Sequence, residues 1–163
     1  MLKRKVLRLA NYDYTQNGVY FLTICTAFHK PILWESLEKP CMLSESIPLS
    51  WQGRIVQHEI EKWGRLYPAV MIDKYVIMPN HIHALLRICN PEKSQDIPDI
   101  SRMVKQFKGR VSKEIGEPVW QKSFYDHVIR SEEDYLQKWQ YIDNNPARWK
   151  EDQYYFDNHS HTP

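Results

Sequence analysis

Residues 70–88 read VMIDKYVIMPNHIHALLRI. Two runs rich in β-branched and aromatic types, 70–78 and 81–88, flank Pro79-Asn80. That pair suits a turn, so the stretch predicts two strands joined by a hairpin or a sharp reversal. Inside the second run, His81 and His83 are two residues apart. Side chains at that spacing leave one face of a strand at roughly 6.5 to 7 Å from each other, while Ile82 turns to the other face and the core. Two converging imidazoles make a two-point clamp for a metal ion. The same pair also reads as two histidines on a polar strand face.

Working outward, residues 19–26 (VYFLTICT) follow Gln16-Asn17-Gly18 and predict a buried strand. A loop with Pro31 and Pro40 leads to a helix that begins near Ser50, carries Ile55, Ile60 and Trp63, and ends by Pro68. After a linker over 89–98, Ile100, Val104, Phe107, Val111 and Ile115 recur at helical spacing. This second helix has one apolar face and one basic face of Arg102, Lys105, Lys108, Arg110 and Lys113; residues 116–118 stop it. Residues 119–129 (VWQKSFYDHVI) predict a further strand. Ser131, with Glu132 to Asp134 in the first turn, caps a third helix bearing Tyr135, Leu136, Trp139, Tyr141 and Ile142, with Pro146 as its limit. The order β-α-β-β-α-β-α predicts an α+β sandwich, a mostly antiparallel sheet with helices packed on one face, which resembles the ferredoxin-like family.

Size and composition bound the function. With 163 residues and 19.6 kDa the chain is expected to form a single domain over 1–163, with a basic arm over about 1–11 and a short tail over about 150–163. A chain of this size buries roughly 70% of its unfolded surface, so folding needs neither disulfides nor a structural metal. Hydrophobic residues at 42% and charged residues at 26% exclude a disordered or fibrous chain. The net charge of +2 is small but unevenly spread, since Lys3, Arg4, Lys5 and Arg8 crowd the N-terminus and the second helix adds its own patch. Three cysteines without a CxxC pair argue against a disulfide framework and fit a reducing cytoplasm. No signal peptide or membrane helix is expected.

The third helix holds a second pair. Tyr141 and Asn145 are four apart, on one helix face. A phenol able to act as a nucleophile and a carboxamide oxygen able to ligate a hard cation therefore point the same way; either residue also reads as ordinary rim or helix end. Four segments then occur in order: Tyr12-Asp13-Tyr14 with Gly18 and residues 20–26, residues 75–83 (YVIMPNHIH), residues 120–127 (WQKSFYDH), and residues 141–146 (YIDNNP). Together they resemble the REP-associated tyrosine transposases, relatives of the single-tyrosine HUH transposases, over about residues 4–149. One departure is that Ala147-Arg148-Trp149-Lys150 follows the NP pair where the family often has a glycine-containing turn.

The resemblance implies roles. His81 and His83 match the HUH pair that binds a divalent metal, Tyr141 the nucleophile, and Asn145 the third ligand. Tyr125 is the rival tyrosine, for which the family pattern implies a scaffold or DNA-lining role. Two imidazoles and an amide suit Mg²⁺ or Mn²⁺. The implied reaction nicks and rejoins single-stranded DNA beside a hairpin through a 5′-phosphotyrosine link. The expected partner is single-stranded or hairpin DNA, contacted by the basic arm (Lys3, Arg4, Lys5, Arg8) and the basic helix face (Arg102, Lys105, Lys108, Arg110, Lys113). With few residues after Pro146, a monomer with its site in one chain is expected over a dimer. Two other classes stay open: a non-catalytic nucleic-acid-binding module, and a metal phosphodiesterase that uses water as nucleophile.

Overall fold

The computed structural model describes residues 18–37, 47–89 and 99–155. Strands β1 (Gly18–Cys25), β2 (Val70–Ile77), β3 (His81–Ile88) and β4 (Tyr125–Ile129) form one sheet in the order β2-β3-β1-β4. Every neighbouring pair is antiparallel. Because β1 and β2 are not neighbours, the chain between them must cross over; it does so through α1 (Trp51–Glu61) and α2 (Trp63–Leu66). The passage from β3 to β4 repeats this through α3 (Ile100–Ile115), giving two interleaved β-α-β units, and α4 (Glu132–Asn144) follows β4. The expected α+β class, antiparallel sheet and element order all stand.

Local signals set most boundaries. Ser50 accepts a hydrogen bond from the backbone N–H of Gly53 (3.0 Å), Asp99 from that of Arg102 (2.7 Å) and Ser131 from that of Asp134 (3.1 Å), three side-chain caps worth about 1 kcal/mol each. Gly116 ends α3 in the left-handed region, at φ 92°. Gly53 is required for a different reason: a Cβ there would lie 2.1 Å from the carbonyl oxygen of Leu33, so α1 touches the segment that follows β1.

One strand is shorter than its sequence predicts. Of residues 119–129 only Tyr125–Ile129 pair continuously, while Trp120 makes a single bridge to Thr26. Lys108 explains the difference: its Nζ donates to the carbonyls of Gln121 (2.7 Å) and Ser123 (2.9 Å), so α3 occupies the backbone acceptors a strand would need.

The two faces of the sheet differ. Tyr20, Leu22 and Ile24 of β1 with Ile82, Ala84 and Leu86 of β3 share a core with Val56 and Ile60 of α1, Trp63 of α2 and Phe107 of α3. Phe21, Val76 and Leu85 face the other way and pack with Ile142 of α4, Trp34 and Trp149. The helices thus occupy both faces, α1 to α3 on one and α4 on the other, where a single face was expected. This double cover explains why β3 reads as an almost unbroken apolar run.

A bulge at Asp73 in β2 anchors α4. Asp73 Oδ2 accepts from Arg87 Nη2 (2.8 Å) and from the Tyr135 hydroxyl (2.9 Å), while Lys74 pairs with Asp143 (2.5 Å). The bulge turns Lys74 toward the α4 face, where its ammonium lies 4.4 Å from the centre of the Trp139 ring. β2 thus helps orient α4 over the sheet, together with β4, whose His127 Nε2 lies 2.6 Å from Asp134 Oδ2. The arm residues Lys3, Arg4, Lys5 and Arg8 lie outside the described residues, as does the Tyr12-Asp13-Tyr14 opening.

Candidate active site

Antiparallel pairing decides which side chains meet. His83 pairs with Thr23 and His81 with Cys25, while Thr23 on its other side pairs with Tyr125. These residues project from the α4 face, because the alternate residues Ile82, Leu22 and Ile24 lie in the opposite core. The two histidine rings stand edge to face with centroids 4.7 Å apart, and both are almost fully buried.

A network sets the tautomer of His81. Asn80 Nδ2 donates to the carbonyls of Tyr154 (2.7 Å) and His29 (3.3 Å), so its Oδ1 must be the atom facing His81 Nδ1 at 2.8 Å. That oxygen only accepts, hence His81 carries its proton on Nδ1 and turns the Nε2 lone pair inward. For His83 the equivalent partner is Thr23 Oγ1, 2.8 Å from Nδ1. Burial first, then the nearby His29 ring, pushes His81 down to about 3 against a small opposing effect of Asn145. Burial and then the neighbouring His81 hold His83 well below the usual histidine range. Both imidazoles are therefore neutral, the form a metal ion requires.

α4 brings the third and fourth groups. Tyr141 is 38% exposed, with its ring centroid 5.2 Å from that of His83 and 6.2 Å from that of Phe21. Asn145 is the C-cap of α4 with helical φ and ψ, so the one-turn relation to Tyr141 survives to the helix end. Its Nδ2 donates to Asp152 Oδ2 at 2.7 Å. The amide is thereby oriented, and its Oδ1 is left without a hydrogen bond. Among the nine buried atoms of the described residues that share that condition are His81 Nε2 and His83 Nε2, which with Asn145 Oδ1 are the ones at this site that carry a lone pair a cation can take. Such an atom forfeits about 1 to 3 kcal/mol unless something else satisfies it, and two imidazole nitrogens with a carboxamide oxygen form a mixed set that suits Mg²⁺ or Mn²⁺. Among the described residues no group of three or more His, Cys, Asp and Glu side chains is arranged to hold a metal.

Asp152 is the residue that sequence reasoning missed. Its side chain is fully buried, 3.7 Å from His81 Nε2, and its Oδ1 accepts from the Tyr154 backbone N–H at 2.8 Å. The expectation of a tail beginning near 150 hid it. Instead Trp149 is buried, and the Tyr154 ring lies 4.6 Å from His81, so residues 149–155 complete the wall of the site. The only available signal was an acid seven residues beyond Asn145 in an aromatic-rich segment. Partial burial, with Asp152 nearby, pushes the Tyr141 phenol up to about 12, so the residues by themselves disfavour the phenolate.

Other candidates fall elsewhere. Tyr125 begins β4 on the same face, 38% exposed, in register with Thr23. The basic residues of α3 lie on the far side of the sheet from His83 and Tyr141. Arg102, Lys105 and Lys113 are exposed there. Lys108 is engaged by the carbonyls preceding β4, and Arg110 Nε donates to the buried Glu59 at 2.8 Å, so these two, expected at DNA, also have partners within the fold. No described helix is long and apolar enough to cross a membrane.

Known proteins resemble this chain in sequence and in fold. No family model matches it. An uncharacterized protein of Haemophilus influenzae is 34% identical over 177 aligned positions, which cover 94% of each chain. A REP-associated tyrosine transposase of Escherichia coli is 30% identical over 101 positions, 61% of this chain and 58% of that protein. Among solved structures, a REP-associated tyrosine transposase bound to a REP hairpin superposes with a TM-score of 0.61 at 22% identity, covering 87% of this chain and 74% of that one. The fold is shared with that transposase.

Proposed function

The chain belongs to one family with the Haemophilus influenzae protein, and from that footing we propose that it is a metal-dependent transposase that cleaves and rejoins single-stranded DNA beside hairpins. One observation carries the reading: Nε2 of His81, Nε2 of His83 and Oδ1 of Asn145 are buried without hydrogen bonds, and His83 and Asn145 line a cleft of about 690 Å³ together with the partly exposed Tyr141. The likeness to a transposase captured on a REP hairpin supports DNA as the partner.

His81, His83 and Asn145 would hold Mg²⁺ or Mn²⁺. When bound, the cation neutralises charge that builds on the phosphate oxygens and favours the phenolate. Tyr141 Oη attacks phosphorus, a bond forms between them, and the bond from phosphorus to the 3′ oxygen breaks. The phenolic proton ends on that oxygen, leaving a 3′-hydroxyl and a 5′-phosphotyrosine. Reversal by another 3′-hydroxyl rejoins the strand without any nucleotide cofactor. All four groups come from one chain, so a complete centre needs no second copy.

Denaturing gels test this. Labelled single strands carrying hairpins from around the gene, incubated with Mn²⁺ or Mg²⁺, are expected to yield an SDS-stable labelled protein band. In Tyr141→Phe that band falls by about 10⁴-fold or more. Cleavage without a covalent band would instead make water the nucleophile, and hairpin binding with no cleavage in either metal would leave a binding module.

A further inference from the structure

Tyr141 shares its helix face with three uncharged polar side chains. Gln137, Gln140 and Asn144 stand four residues before, one before and three after it, so all belong to one stripe along α4. Together with Tyr141 and His83 they line the cleft of about 690 Å³. All three are exposed, and none of their side chains makes a hydrogen bond to a described group. A stripe needed only for solubility is served by lysine and glutamate, and one needed only to attract phosphate by lysine and arginine. Carboxamides are the side chains that offer an acceptor and two donors on one planar group without charge, the pattern that matches the edge of a base. Lys138 and Arg148 also line the cleft, beside Glu151 and Asp152. Lys138 lies 3.8 Å from Asp134 and Arg148 3.9 Å from Glu151, long contacts at the protein surface that a phosphate backbone can displace.

Resting on the reading above, we propose that Gln137, Gln140 and Asn144 read the edges of the unpaired bases that flank the phosphate attacked by Tyr141. Sequence choice at the cleavage step then resides on the nucleophile's own helix, while the ion site and the two cations hold the backbone whatever its sequence. An unpaired strand suits this readout, because its base edges are free of Watson–Crick partners.

The test is a binding selection. The Tyr141→Phe protein, which leaves the pool uncut, is presented with a hairpin oligonucleotide randomised at the single-stranded positions next to the stem, and the bound fraction is sequenced. Preferences of roughly 5- to 150-fold are expected at contacted positions, the range that one paired base edge supports. In the same background Gln137→Ala, Gln140→Ala and Asn144→Ala together should flatten those preferences while total affinity falls less than tenfold. Alanine at exposed helical positions preserves the fold, and circular dichroism checks this. Preferences that persist in the triple variant overturn the proposal, as does a uniform loss of binding for every sequence or an absence of preference in the parent. The covalent band formed by the wild-type protein reports separately on the transposase reading, so either idea can fail alone.

Discussion

Asn145 can present its carbonyl oxygen to the histidines because Asp152 holds its amide nitrogen at 2.7 Å. Replacing that carboxylate by a carboxamide sets the two residues in conflict. With Asp152→Asn, either an N–H meets the Asn145 amide nitrogen, or the side chain turns over and loses the bond from the Tyr154 backbone. Outer-shell partners of this kind typically change metal affinity by about 10- to 100-fold. The expected outcome is weaker Mn²⁺ binding by that factor, measured by calorimetry, with the helix content unchanged. At this scale the candidate donors were legible in the sequence: a strand's two-residue period puts His81 and His83 on one face, and a helix's turn puts Tyr141 over Asn145. Asp152 was not legible, since no local period relates a residue beyond the helix to a strand 71 positions earlier.

At the scale of elements, α1 and α3 are joined by a buried acid. Glu59 is 2% exposed and accepts from Lys62 Nζ (2.7 Å) and Arg110 Nε (2.8 Å). Burial alone would push its carboxyl up, but the two cationic donors outweigh burial and hold it below its ordinary value. A depressed acid stabilises the fold above its unfolded pKa of about 4.3, and that contribution disappears as pH falls through the folded value. Glu59→Gln should therefore lose about 2 kcal/mol at pH 7. The gap to the parent should close in acid, as followed by urea unfolding at pH 7 and below pH 4. The amphipathic period announced both helices and their caps, but the pairing of Glu59 with Arg110, 51 residues apart, depends on how the helices dock. The same docking engages Arg110 with Glu59, and Lys108 with the carbonyls before β4, while leaving both half-exposed.

Among the described residues, the sheet packs α1 to α3 on one side and carries the candidate site on the other. Arg102, Lys105 and Lys113 sit on the outer surface of α3, across the sheet from Tyr141. Under the proposed function, a strand held at the cleft would reach them only by passing around the sheet, so the proposal gives them a part with long or folded DNA alone. Changing all three to glutamine should lower affinity for a hairpin substrate and reduce the slope of log affinity against log salt by about 0.7 to 0.9 for each phosphate that is no longer neutralised. Affinity for a short strand confined to the cleft should hardly move; fluorescence anisotropy across a salt series measures both. If both substrates weaken equally, the separation of sides does not govern binding.

Strands, helices, caps and the two same-face pairs follow from chain geometry that repeats within a few residues, so the order of letters suffices for them. Which sheet face α4 covers, the return of residues 149–155 over His81, and the division of the basic residues between fold and surface arise from interactions between distant segments. Those interactions are selected by how apolar faces and buried charges can be satisfied together. Local periodicity carries no record of that choice.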